Sequence, residues 1–303
     1  MVEAIRAATE NWREGGMIIA TRMSCVVIPS MVVPRASLIV LVVVIIVTVG
    51  VDAATLAPKT AQDFGRYAAA MEARRARDLA AEVPFLEIDR LPPNRRAQAG
   101  AELRRGEVVV ARATATDDGA NEIEVNGGLI SHWRGTVLVP NVTLEKLLLT
   151  LMEPQTDRHQ QEDVLASRVV ARDGDSMKLY LRLRRTKFVT VVYDTEYDVE
   201  YHRLASDKAW SRSLSTKIVE VENVGTPQER TLQEGADHGF LWRLYTYWRY
   251  QQVEGGVMVE IESLTLSREL PFLVGPLIRP IVNHIARESM SRTLASLRAR
   301  FAS

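Results

Sequence analysis

The sequence predicts an α+β protein in which a large antiparallel sheet is closed by a long C-terminal helix. Three observations carry that expectation. Six consecutive strand-like segments lie between residues 166 and 270 with no helical run between them, read in the period of two that begins at Glu107. One earlier segment, Leu129 to Pro140, has the same period and is followed by NVTLEKLLLTLMEP, whose period is helical. From about Phe272 to Phe301, Leu273, Leu277, Ile281, Ile285, Leu294, Leu297 and Phe301 recur at mostly helical spacing and form one apolar stripe.

The elements follow in order. Thr60 to Glu82 is Ala-rich and free of proline, a helix with Thr60 as its expected N-cap. Pro92 to Gly106 opens with prolines and stops at glycine, a second, shorter helix. EVVVARATA, residues 107–115, is a strand, and TDDGANE is a loop. After the helix that ends at Pro154, TDRHQQEDVL is expected to make another short helical turn. The six strands are then ASRVVARD, SMKLYLRLRR, FVTVVYDTEYDVEYHRL, AWSRSLSTKIVEVEN, FLWRLYTYWRYQQ and GVMVEIESLTLSREL. Pro276 and Pro280 fall in the first turns of the last helix, where proline is tolerated or kinks the axis.

The chain divides into residues 1–53, a leader; 54–128, a helical appendage with a linking strand; and 129–303, the main domain. Within the leader, Ala36 to Ala54 is uninterrupted by basic residues and follows Pro34 and Arg35. Its apolar core of about 15 residues matches a signal-peptide hydrophobic region and is short of the ~20 that span a bilayer. Val51-Asp52-Ala53 offers a cleavage site after Ala53, and Met31 or Met23 would serve as the start of a leader of ordinary length. The expected location is therefore periplasmic or secreted. The alternative is an uncleaved anchor in which residues 37–51 associate with the inner membrane. Cys25, the single cysteine, lies upstream of this run, so the remainder has no thiol for disulfides, metal ligation or nucleophilic chemistry.

Lys plus Arg equals Asp plus Glu, 38 each in 303 residues, so no net field gathers nucleic acid or an anionic surface. HGFLWRLYTYWRY, residues 238–250, nevertheless concentrates six aromatic rings and two arginines in a chain only 6% aromatic. A stacking platform for nucleic acid needs rings and cations on one exposed face. A short Glu-Gly turn after Val253 places Arg249 opposite Glu260 and Tyr247 opposite Glu262, on a face expected to be charged and wet. The other face then carries Phe240, Trp242, Leu244, Thr246, Trp248 and Tyr250, beside Val259, Ile261, Ser263, Thr265 and Ser267. Large rings next to small hydroxyl residues leave space and hydrogen-bonding handles, the makeup of a ligand cavity; the terminal helix filling that space is the competing expectation. On FVTVVYDTEYDVEY, Val189, Val191, Tyr193, Tyr197, Val199 and Tyr201 share one face. Asp194, Glu196, Asp198 and Glu200 share the other, where Lys178, Arg182 and Arg184 of the preceding strand make an ion-pair ladder the expected explanation.

Catalytic signatures are missing. There is no GxSxG, HExxH, P-loop or GxGxxG, and His132, His159, His202, His238 and His284 are scattered without metal-ligand spacing. No catalytic residue, metal or cofactor is expected, and binding is favoured over catalysis. His238 and His284 are the two that would supply acid-base chemistry if either projected beside Tyr193 or Tyr250.

The segment order and the phrases LISHWRGTVLVPNVTLEKLLLTL, LYLRLRR, KAWSRS and HGFLWRLYTYWRY resemble the START-like superfamily (SRPBCC), which includes polyketide cyclase-like and ligand-carrier proteins, in an exported bacterial branch. The resemblance covers Leu129 to Ser303. It implies the helix-grip fold, a curved antiparallel sheet wrapped around the terminal helix with an apolar tunnel between them. The expected function is binding or carriage of a lipid or other hydrophobic small molecule. Trp242, Leu244, Thr246, Trp248, Ile261, Ser263, Thr265, Tyr193 and Tyr197 on the sheet, with Leu277, Ile281 and Ile285 on the helix, are the expected lining. Thr246, Ser263 and Thr265 would orient a polar end, and Leu273 to Ile285 would act as a lid hinged near Gly275 and Pro276. The alternatives are a cyclase or dehydratase on the same fold, marked by a titratable pair converging inside the tunnel, and a ligand-free structural or interaction module.

Overall fold

A computed structural model of the chain describes residues 54–81, 83–153, 163–186, 190–269 and 275–301, the last of these through the backbone alone as far as residue 282. The leader, the segment TDRHQQEDVL up to residue 162, and the side chains of Leu277 and Ile281 lie outside the described residues. Among the described residues no helix is long and apolar enough to cross a membrane.

The architecture is α+β, as expected. Strand β1 (Ala54–Thr55) leads into helix α1 (Pro58–Ala80), a 3-10 turn at Glu87–Arg90 and helix α2 (Pro93–Arg104). Strands β2 (Val109–Arg112) and β3 (Gly128–Pro140) precede helix α3 (Leu144–Met152). Then come β4 (Val164–Asp173), β5 (Ser176–Thr186), β6 (Thr190–Ala205), β7 (Lys208–Glu222), the short β8 (Arg230–Thr231) and β9 (Ala236–Asp237), β10 (Arg243–Val253), β11 (Gly256–Arg268), and helix α4 (Gly275–Phe301). The main sheet runs β2-β3-β11-β10-β7-β6-β5-β4, antiparallel throughout, with β8 beside β7; β1 pairs with β9 apart from it.

Several boundaries differ from expectation for local reasons. Helix α1 starts at Pro58 after Ala57, not at Thr60, because proline at the first helical position lacks only an N–H that would be unpaired anyway. Thr60 is buried in the first turn and donates its hydroxyl to the Asn126 carbonyl at 2.7 Å. The strand expected over residues 107–115 pairs only from Val109 to Arg112. Val164 and Leu165, expected to end a helical turn, begin β4.

The β10–β11 hairpin has the expected register: Val253 faces Gly256, Arg249 faces Glu260 and Tyr247 faces Glu262. Glu254 and Gly255 make the turn, Gly255 at φ 82°. On β7 the pairing with β6 steps from Lys217–Glu196 to Ser215–Tyr197 and leaves Thr216 as an extra residue, a bulge that bends the sheet. Across the concave face, Val137, Val139, Tyr250, Val257, Val259 and Ile261 pack with Leu144, Leu147 and Leu148 of α3 and Met290, Leu294 and Leu297 of α4. Gly135 makes room for this helix, since a Cβ there would stand 2.7 Å from Leu294 Cδ1 and 2.8 Å from Met290 Sδ.

The opposite face is where expectation failed. The side chains of Arg249, Glu260 and Glu262 were expected in water, yet each is no more than 2% exposed, and Tyr247 is as deeply buried. Helix α1 and the 3-10 turn lie over them. Glu262 accepts hydrogen bonds from Arg74 at 2.5 Å, His132 at 2.9 Å, Arg134 at 3.0 Å and Arg75 at 3.2 Å. Arg249 lies within 3.5 Å of Asp78, Glu87 and Glu260. The ladder on the far half of the sheet agrees with expectation: Arg182 pairs with Asp194 and Lys178 with Asp198.

Candidate functional site

The concave face is built by strand parity. Register aligns Trp133 of β3, Ser263 of β11, Thr246 of β10, Ser213 of β7 and Val199 of β6 in one row across the sheet. A parallel row runs Gly135, Ile261, Trp248, Ser211 and Tyr201, and a third contains Ser131, Thr265 and Leu244, followed by Ser215 and Tyr197. The centre of this face is thus a floor of small hydroxyl residues with rings at its margins. Trp248 stacks on Tyr250 with centroids 6.3 Å apart and planes within 2°. The indole N–H of Trp248 donates to Thr246 Oγ1 at 3.2 Å, and that of Trp133 to Ser131 Oγ at 3.1 Å. Ser131, Trp133, Tyr201, Ser213, Leu244, Thr246, Trp248, Ser263 and Thr265 are all only half-buried, so the floor is not plugged as a core would be.

Most of the expected lining residues meet here. Leu244, Thr246, Trp248, Ile261, Ser263 and Thr265 share the concave face, and Tyr197 packs beside Leu244 with Met177 and Val199. Ile285 lies on α4, half-buried. Tyr193 belongs to the same face at the far end of β6, fully buried. Trp242 is the correction. It precedes β10, where strand alternation does not yet apply, and its ring packs with Phe64, Tyr67, Met71, Leu264 and Leu266 under helix α1. Its indole N–H donates to Asp237 Oδ1 at 3.1 Å. Phe240, expected on the same face, is likewise outside the strand and exposed.

Sequence reasoning missed four groups on this face. Ser211, Ser213 and Ser215 were visible as the alternating SRSLS of AWSRSLSTK, a polar row where a strand facing a core would carry aliphatics. Glu220 was hidden because the bulge at Thr216 shifts the parity of β7: beyond it, Ile218 and Glu220, opposite Thr195 and Tyr193, take the concave side.

Glu220 gives one end of the groove a charged character. It is 2% exposed and accepts from His238 Nδ1 at 2.5 Å through Oε2, while its Oε1 has no partner among the described residues. Burial raises its carboxyl pKa against the contrary pull of His238. Neighbouring Asp237, 1% exposed, is also raised by burial; it accepts from the Gly239 N–H at 2.6 Å and from Trp242 through Oδ1, and its Oδ2 is unpartnered among the described residues. His238, half-buried, thus pairs with Glu220, which stands opposite Tyr193. His284, the other histidine singled out, is exposed on α4.

On the convex side, Tyr67, His132 and Glu262 form a buried chain. Tyr67 Oη stands 2.9 Å from His132 Nδ1 and accepts the Ala115 N–H at 2.9 Å. The contacts are satisfied with His132 Nε2–H donating to Glu262 and Nδ1 accepting from Tyr67. Burial pushes the Tyr67 hydroxyl up to about 12. Burial alone would raise Glu262 too, but the His132 hydrogen bond and the charges of Arg134 and Arg74 hold it well below the ordinary carboxyl range. Nothing in this chain of contacts opens on the groove, and it joins the appendage to the sheet. Among the described residues no group of His, Cys, Asp or Glu is placed to hold a metal ion.

No protein-family model matches the chain, and no curated protein does. Solved structures to which it is similar include START-related and aromatase/cyclase proteins. They include a STAR-related lipid transfer protein fragment from Xanthomonas axonopodis, 15% identical with a TM-score of 0.39, covering 63% of this chain and 99% of that one. Human StAR-related lipid transfer protein 5 is 16% identical with a TM-score of 0.37, over 68% of this chain and 92% of that one. The Zhui aromatase/cyclase from Streptomyces sp. R1128 is 9% identical with a TM-score of 0.37, over 57% and 93%. At these values no residue role and no ligand passes from those proteins to this chain.

Proposed function

We propose that this protein binds a lipid or other hydrophobic small molecule on the concave face of its sheet, beneath the C-terminal helix. The supporting observation is the half-buried floor of Ser131, Ser213, Thr246, Ser263 and Thr265 between the rings of Trp133, Trp248 and Tyr201. Apolar surface of the ligand buried against the rings and against α4 supplies affinity, about 25 cal/mol per Å², and the hydroxyls orient its polar atoms. The apolar leader supports a location outside the cytoplasm, exported or anchored to the inner membrane.

Organic-solvent extraction of the purified protein, followed by mass spectrometry, tests the reading. A stoichiometric apolar molecule is expected in the extract and lost with Trp248→Ala; an extract without one, from protein that also takes up no added lipid, overturns it. A molecule returned chemically altered after incubation would favour the enzyme instead.

A further inference from the structure

The acidic end of the groove has no structural explanation inside the described fold. Most buried carboxylates have every oxygen engaged, because an unpaired buried acceptor costs about 1–3 kcal/mol. Here two adjacent carboxyl groups, Glu220 and Asp237, each keep one buried oxygen without a partner among the described residues. On the convex side of the same sheet, by contrast, both oxygens of Glu262 are engaged, by His132 and three arginines. Among the described residues, Arg185 on the neighbouring β5 is held by Asp163 at 2.8 Å and Arg243 by Glu234 at 3.2 Å. His238 is the single side-chain cation-capable group bonded to Glu220 among the described residues. By register Glu220 stands opposite Tyr193 on the ligand side of the sheet.

We propose that Glu220 and Asp237 form the head-group station of the groove, and that they take an amphiphile whose head carries N–H or O–H donors, an amine or an alcohol, in preference to a carboxylate. This deepens the binding role proposed above and rests on it. The free oxygens accept from the head group, and a second anion brought against two carboxyls would meet like charge, since His238 is already paired with Glu220. Burial that raises both carboxyl groups agrees with a site that is incomplete until a donor arrives. The chain then extends over the hydroxyl floor toward Trp248.

The test uses the whole protein, stripped of bound lipid, with three probes of one chain length: dodecylamine, dodecanol and dodecanoate. Tryptophan emission reports binding, since Trp133 and Trp248 border the groove. The amine and the alcohol are each expected to bind about tenfold or more tighter than the carboxylate, the factor that one hydrogen bond to a charged group supplies. Glu220→Gln, its fold checked by circular dichroism, is expected to shrink the amine-to-carboxylate ratio by about tenfold while leaving dodecanol within about threefold. Should that variant fail to fold, the ranking on the unaltered protein still decides. Equal binding of all three probes, or a ratio unchanged in Glu220→Gln, overturns the station and leaves the groove standing. Binding of none overturns both.

Discussion

Replacement of Glu262 by glutamine should unfasten the N-terminal appendage from the sheet. The carboxylate is buried and receives His132 at 2.9 Å, Arg134 at 3.0 Å, Arg75 at 3.2 Å and Arg74 at 2.5 Å. Removing one partner of a buried ion pair costs about 3–5 kcal/mol, because the opposite charge stays behind without compensation. Arg74 and Arg134 keep some contact with solvent, whereas Arg75 does not. That argues for the lower end, about 3 kcal/mol, or a melting temperature lower by roughly 6–12 °C for a domain of this size. The pH dependence has a definite sign. Glu262 is held below its ordinary range, so its stabilisation is complete above the unfolded value of about 4.3 and is lost as pH falls through the lower folded one.

Glu260, two residues away on the same face, reverses that sign. Burial raises its carboxyl pKa against the pull of Arg134 and Arg249, so its contribution is greatest below the unfolded value and declines as pH rises through the folded one. Glu260→Gln, which retains an acceptor for the Glu87 N–H, should therefore cost about 1 kcal/mol or less at neutral pH. Thermal or urea unfolding of both variants, followed by circular dichroism between pH 3 and about pH 8, measures the pair. Glu260→Gln costing as much as Glu262→Gln, or a Glu262→Gln deficit that widens in acid, would refute the reasoning.

Three other outcomes follow from the same structure. Trp242→Ala should cost about 3–5 kcal/mol in unfolding experiments, as a fully buried ring in the α1 cluster, while half-buried Trp248→Ala costs under about 2 kcal/mol and weakens uptake of added lipid. Gly256→Ala should lower the melting temperature far more than Gly255→Ala, because a Cβ at Gly256 would stand 2.1 Å from the Val139 carbonyl oxygen, whereas Gly255 has nothing within 4 Å and bears only its left-handed φ of 82°. Arg182→Ala, on the partly solvated ladder with Asp194 and Glu229, should change stability by no more than about 1 kcal/mol, and less in high salt, when unfolding is repeated across salt concentrations.

What the sequence determined by itself is what local periodicity controls. Alternation fixed the face of Thr246 and Trp248 and the pairing of Arg249 with Glu260, since a two-residue turn leaves the hairpin no other register that keeps one apolar face. Only the tertiary structure decided what covers each face. Arg74 and Arg75 lie 188 and 187 residues before Glu262, so no pattern in β11 shows that the acids of Glu260 and Glu262 are buried under helix α1 instead of wet. Trp242 escaped strand alternation because its backbone is not yet in the strand, and Glu220 because one extra residue at Thr216 reverses the parity of all that follows. Period two is a property of continuous extended backbone; where the backbone bends, ends or is met by a distant helix, the three-dimensional arrangement decides which side chains are brought together.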